Sequence, residues 1–180
     1  MASSGGIVIQ LSFQAALDPF HTVFRLLRLR PVVAEVGPLH TDWLRVLDFY
    51  LLFPFRISAI RLTRPHQHYK RLAQKYDWTR PYGAHPEDRV LFENMRPLQS
   101  LAMDTLATHA LLDPEQLSLS RAMVSHGHVP DAISSRISIA NQKDSDLIAF
   151  LTDIATHYEI GGPDGLRART GLIEHRYDAI

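Results

Sequence analysis

Two histidine pairs with one residue between them, His66/His68 and His126/His128, are the side chains whose spacing first suggests chemistry. On a strand both rings of such a pair point to one side, an arrangement metal sites use when further ligands lie nearby. Neither pair has a third and fourth ligand at a suitable spacing, and no HExxH occurs, so all four read as surface or capping histidines. The run GGPDGLRART has the composition of a phosphate-cradling loop. It lacks the Gly-Lys-Ser/Thr ending and follows no strand, so its glycines read as positive-φ positions in a tight docking loop. A serine nucleophile would need a G-x-S-x-G elbow or something like it, and none occurs. Asp144 and Asp146 read as a helix start. With no cysteine there is no thiolate zinc site, disulfide or cysteine nucleophile, which fits a reducing compartment. These residues predict a chain with no active site, metal or cofactor of its own.

The remaining candidate is a basic, aromatic stretch. In residues 56–81, Arg56, Arg61, Arg64, Lys70, Arg71, Lys75 and Arg80 face one acid, Asp77, with Tyr69, Tyr76 and Trp78 interleaved and Tyr82 just beyond. Arginine binds phosphates bidentately and aromatic rings stack on bases, so these seven cations are candidate contacts to nucleic acid or to an acidic partner. A solvated surface is the plainer reading. Net charge is zero, but residues 1–81 hold 11 basic against 5 acidic groups (+6) and residues 82–180 hold 8 against 14 (−6). Either the halves make a dipole or they face each other and cancel.

Helices must position these groups. Residues 7–13, IVIQLSF, alternate like a short strand. Asp18-Pro19 opens a helix bearing the stripe Phe20, Val23, Phe24 and Leu27, which Pro31 is expected to stop. A second helix from Thr41 or Asp42 to Pro54 is apolar almost all round and reads as the buried centre; its Asp48 needs a partner. FRISAIRL continues helically to about Leu62, and residues 56–84 form a basic arm or insertion with a short helix in its middle. A helix from Pro86 carries Leu91, Met95, Leu98, Ala102 and Leu106; Pro97 either kinks it or starts a new one. LSLSRAMV, residues 117–124, reads as a strand. Pro130-Asp131 opens another helix, and Asp144 caps an amphipathic one carrying Leu147, Phe150, Leu151 and Ile154, stopped by Gly161 and Gly162.

At 180 residues, 46% hydrophobic and 21% charged, the composition is that of one globular domain, 1–180. MASSGG is unlike an export signal, and the most apolar stretch, seven residues from Phe49 to Phe55, is far below the ~20 of a membrane helix. The expectation is a cytoplasmic protein, not membrane-bound.

Three segments carry a resemblance: LDPFHTVFRLLRL, LRVLDFYLLFPFRI and GPDGLRARTGLIEHRYD. In order and spacing they resemble the small middle component of bacterial ABC-three-component conflict systems, the group that includes the small subunit of Lamassu-type anti-phage and anti-plasmid defence. The resemblance implies a mainly α (α+β) fold with a winged helix-turn-helix-like core, an N-terminal strand and helix, and a C-terminal helix plus docking tail. It implies a non-catalytic linker between an SMC/Rad50-like ABC ATPase and an effector, a nuclease activated by foreign DNA. DNA contact would be direct or through the ATPase. Phe53, Pro54, Arg167, Arg176 and Tyr177, from the matching motifs, are then candidates for partner docking, with a place in the core as the alternative for Phe53 and Tyr177. The competing reading is a stand-alone winged-helix DNA-binding regulator using residues 97–112 as recognition helix, although that segment offers Asp104 to the phosphates.

Overall fold

Residues 15–81 and 86–173 are described, from a computed structural model of the chain. The expected strand at 7–13, and Tyr82, Arg176 and Tyr177, lie outside them.

Helix α1 (Pro19–Val36) begins where Asp18-Pro19 predicts, with the Asp18 carboxylate accepting the His21 backbone N–H at 2.9 Å. Pro31 does not stop it. The helix continues to Val36 and ends at Gly37, whose φ of +95° suits glycine and whose N–H bonds the Val33 carbonyl. Pro31 faces solvent and deprives only the Leu27 carbonyl of a helical partner, while burial of Val32 and Val33 on the other side outweighs that loss. Pro31→Ala should therefore raise stability by about 1–3 kcal/mol in chemical denaturation. A lower midpoint would show instead that the proline bend is needed to seat Val32 and Val33.

Strand β1 (Leu39–His40) leads into α2 (Thr41–Leu52), where the His40 Nδ1 accepts the Asp42 N–H at 3.1 Å. Trp43, Leu44, Val46, Leu47, Phe49, Tyr50 and Leu51 are all buried, so the all-round apolar helix is indeed the central one. The chain then departs from the expected helix to Leu62. Pro54 opens a 3-10 helix (Pro54–Ala59), and Ile60 is extended. A second 3-10 turn (Arg64–Tyr69) runs into α3 (Lys70–Lys75), followed by a third turn (Asp77–Thr79). Leu62, Leu72, Ala73 and Tyr76 are buried, so the described part of this segment belongs to the core and does not project as an arm.

Helix α4 (Asp88–Thr108) passes through the solvent-facing Pro97 as one helix, burying Leu91, Phe92, Met95, Gln99, Ala102, Met103 and Leu106. The segment 117–124 is not one strand. Asp113-Pro114 is a stronger helix start than the following alternation is a strand: α5 (Pro114–Ser118) forms there, capped by the Asp113 carboxylate on the Gln116 N–H at 2.9 Å. Only β2 (Arg121–Ala122) pairs with β1, antiparallel, with Leu39 opposite Ala122; Leu112 and Val124 add a bridge.

Helices α6 (Asp131–Lys143), α7 (Ser145–His157) and α8 (Leu166–Thr170) complete the described chain. Asp144 occupies the cap position of α7 without capping, because its carboxylate is taken by Arg28 at 2.7 Å and the Tyr76 hydroxyl at 3.0 Å. Helix α7 ends at His157, before Gly161 and Gly162. The fold is mainly helical: α1 packs against α2, α4, α6 and α7, and α7 also covers α2. No helix among the described residues is long and apolar enough to cross a membrane.

The charge halves face each other. Arg28–Asp144 (2.7 Å), Lys75–Asp146 (2.7 Å), Arg45–Glu93 (3.5 Å), Arg167–Asp42 (2.9 Å) and Arg56–Asp88 each join one half to the other.

Candidate partner-docking surfaces

Of the residues expected to dock partners, Phe53 and Pro54 are buried. The Phe53 ring packs 5.3 Å from Phe49 and 6.3 Å from Phe55, so both residues extend the central apolar helix inward and offer no surface. Arg167 is partly exposed on α8, and its guanidinium donates to Asp42 at 2.9 Å. Burial alone would raise the Asp42 carboxyl, but Arg45, His40 and Arg167 beside it hold it below the usual carboxylate range.

The tail carrying Arg167 docks on its own chain. Leu166 and Arg167 donate backbone N–H groups to Glu159 and Ile160 at 2.8 and 3.1 Å. Arg61 and Arg169 exchange bonds: the Arg61 N–H reaches the Arg169 carbonyl at 3.0 Å, and an Arg169 Nη reaches the Arg61 carbonyl at 2.7 Å. Leu166 and Leu172 are fully buried beneath. The turn requires glycine at 165, because a methyl group there would collide with the Gly161 carbonyl.

Four of the seven candidate cations are engaged. Arg56 pairs with Asp88 and lies over the Phe53 and Phe55 rings, Arg61 holds the tail, Lys75 meets Asp146, and Arg80 meets Asp77 at 2.9 Å. Arg64, Lys70 and Arg71 are exposed and unpaired among the described residues, and Trp78 beyond them is 77% exposed.

The histidine pairs are not on strands. His66 and His68 lie on a 3-10 turn, and the His66 Nδ1 sits 2.9 Å from the Tyr158 hydroxyl and 3.2 Å from Thr63 Oγ1. His126 and His128 are exposed. Among the described residues no group of three His, Asp or Glu is placed to hold a metal ion. Burial, with His157 and His68 nearby, lowers the His66 pKa against an opposing pull from Asp153. A depressed histidine pKa means the unfolded chain protonates first as pH falls, so stability drops from about pH 6.5 downward until folded His66 itself titrates. His66→Gln should therefore flatten the loss of stability between pH 7 and pH 5, read from denaturation midpoints. Equal slopes for the two proteins would remove His66 from the account. Nearby, Tyr69 donates to Asp153, and burial together with that carboxylate pushes its phenol up to about 12.

One surface was not read from the sequence. An open groove of about 520 Å³ runs over α1, lined by Phe20, Val23, Phe24 and Leu27, with Leu98, Leu101 and Ala102 of α4 and Ile133 and Arg136 of α6. Phe20 is 84% exposed and Leu101 55%. The α1 stripe was visible in the sequence, but not which part of it is left uncovered. Its first turn in fact extends past the core, and nothing in periodicity distinguishes an apolar face that is covered from one that is not.

A family model described as ABC-three component (ABC-3C) system Middle Component 5 matches residues 11–178. No curated protein and no solved structure matches.

Proposed function

We propose a function from the family to which this chain belongs, Middle Component 5 of the ABC-three-component systems, whose model spans nearly its whole length. A middle component is a linker within a multi-component system, with an ATPase and an effector as its partners. In this reading the protein is a non-catalytic bridge between an SMC/Rad50-like ABC ATPase and a nuclease effector activated by foreign DNA. The system would be a Lamassu-type anti-phage and anti-plasmid defence in the bacterial cytoplasm. The span of the family match is the observation that carries it.

The surfaces support a bridge. The apolar groove of α1, α4 and α6 and the exposed cations Arg64, Lys70 and Arg71 lie on different elements, so two macromolecules could be engaged together. Arg176 and Tyr177, a few residues beyond the docked tail, remain candidates for partner contact, with Arg167 as the anchor behind them. The order α1, β1, α2, α4 and then strand residues pairing back to β1 supports a winged helix-turn-helix-like core, with residues 53–87 inserted between its second and third helices.

Expressed with the products of the adjacent genes, the protein should co-purify in fixed ratio with a large coiled-coil ATPase and a second subunit. A monomer that emerges alone when both are present would overturn the reading, as would substrate turnover abolished by changing one of its own side chains. The three unpaired cations also favour, more weakly, the stand-alone DNA-binding regulator. A salt-dependent gel shift by the isolated protein would decide for that reading.

A further inference from the structure

We infer that the groove between α1, α4 and α6 seats an amphipathic helix of one partner subunit, apolar on its buried face and bearing a carboxylate that meets Arg136. The inference rests on the bridging reading and adds where one partner sits and what it must present.

Phe20, Leu101 and Ile133 come from three different helices and converge on one opening, which distinguishes them from singly scattered surface apolar residues. The walls are helices, so a helix laid along them would complete a bundle, the mode by which an apolar helical stripe is taken up in a groove. A small molecule is the poorer occupant. Apart from Thr105 and Arg136, no lining side chain among the described residues carries a polar group that could orient one.

Arg136 selects the partner's charge. Among the described residues it is the sole charged side chain lining the groove and has no ion pair, and its guanidinium lies 6.0 Å from the Phe24 ring centroid. A guanidinium at the edge of an apolar cleft is matched by a carboxylate, whose pairing there fixes register as well as affinity. A second copy of this chain is a poor match. The other exposed large apolar residues, Leu17, Trp78, Val90, Leu119 and Ile139, lie on separate elements, and among the described residues they make no apolar helical stripe to insert.

The test uses the full chain, co-expressed with the ATPase and effector encoded beside it, with the photo-crosslinker p-benzoylphenylalanine placed at position 101 or 133. The expected product is a cross-link to an amphipathic helix of one of those two subunits with an acidic residue within a turn of the cross-linked site. Arg136→Glu should weaken binding of that subunit roughly 30-fold, and reversing the charge of the partner's acid should restore it. Phe20→Glu should do the same without lowering the thermal midpoint of the isolated protein, since Phe20 is exposed there. An intact complex with no cross-link, or cross-links to a second copy or to residues 1–14 of the same chain, overturns the groove assignment and leaves the bridge standing. Failure of any complex to form removes the bridge and this inference with it.

Discussion

Asp48→Ala should cost about 3–5 kcal/mol and lower the thermal midpoint by roughly 10 °C or more. Asp48 is fully buried in α2 and accepts the Arg25 Nε at 2.6 Å, an Arg25 Nη at 3.1 Å and the Gln99 amide at 2.9 Å. Arg25, itself buried, also donates to Thr22 Oγ1 at 3.1 Å and to the Ala15 carbonyl at 2.9 Å. Gln99 in turn accepts from Arg45, which reaches Asp42 at 3.1 Å, and Asp42 holds Arg167. Removing the carboxylate leaves a guanidinium without a counter-ion in the core, far costlier than losing the pair as a whole. The paired change Arg25→Met with Asp48→Leu should therefore recover most of the loss. The effects of Asp48→Ala and Gln99→Ala should be non-additive, since both act on one network. A cost below about 1 kcal/mol for Asp48→Ala would contradict this account, since breaking a buried pair is expected to cost several times more.

Gly165→Ala should release the tail. The added methyl would strike the Gly161 carbonyl, which is backbone and has no rotamer to move into, so the 161–165 turn must open. Opening it withdraws Leu166 and Leu172 from the core and separates Arg167 from Asp42, a loss of about 3 kcal/mol or more by analogy with large-to-small core substitutions. Trypsin should then cut after Arg167 and Arg169 much faster than in the parent protein. Gly162→Ala is the control: its φ of +84° is unfavourable for alanine but the space beside it is empty, so it should cost only about 1 kcal/mol. Equal tail protection in the parent and Gly165→Ala would show that the turn is not what holds α8.

The helix that begins at Asp18-Pro19 was legible in the sequence, because the cap is a local event that packing does not overrule, whereas the same signal at Asp113-Pro114 was passed over for the alternation that follows it. The buried character of α2 and its need for an Asp48 partner were legible too, since an acid in an all-apolar helix has few alternatives. Pro31 misled, and Pro97 left open whether one helix or two would form, for one reason. A proline on the solvent side costs a helix one hydrogen bond, and long-range burial of the opposite face exceeds that. Two cations of the basic stretch, Arg56 and Lys75, are neutralised by Asp88 and Asp146, acids that lie outside it in the sequence. Of the docking candidates, Pro54 is buried and Phe53 takes the place in the core that was its alternative. The groove was illegible because covered and uncovered apolar faces share one periodicity.

Helix α6 has a consequence for recognition. Its one buried apolar side chain is Ile137, and it is tied to α1 chiefly where Arg28 donates to Asn141 at 2.9 Å and Asn141 donates back to the Arg28 carbonyl at 2.9 Å. So thinly anchored an element opens at a lower free energy than the rest of the molecule, and its amides should exchange deuterium well before those of α1 and α2. One flank of the cleft is thus a compliant jaw hinged at its far end, able to close on guests of different girth while the other two stay rigid.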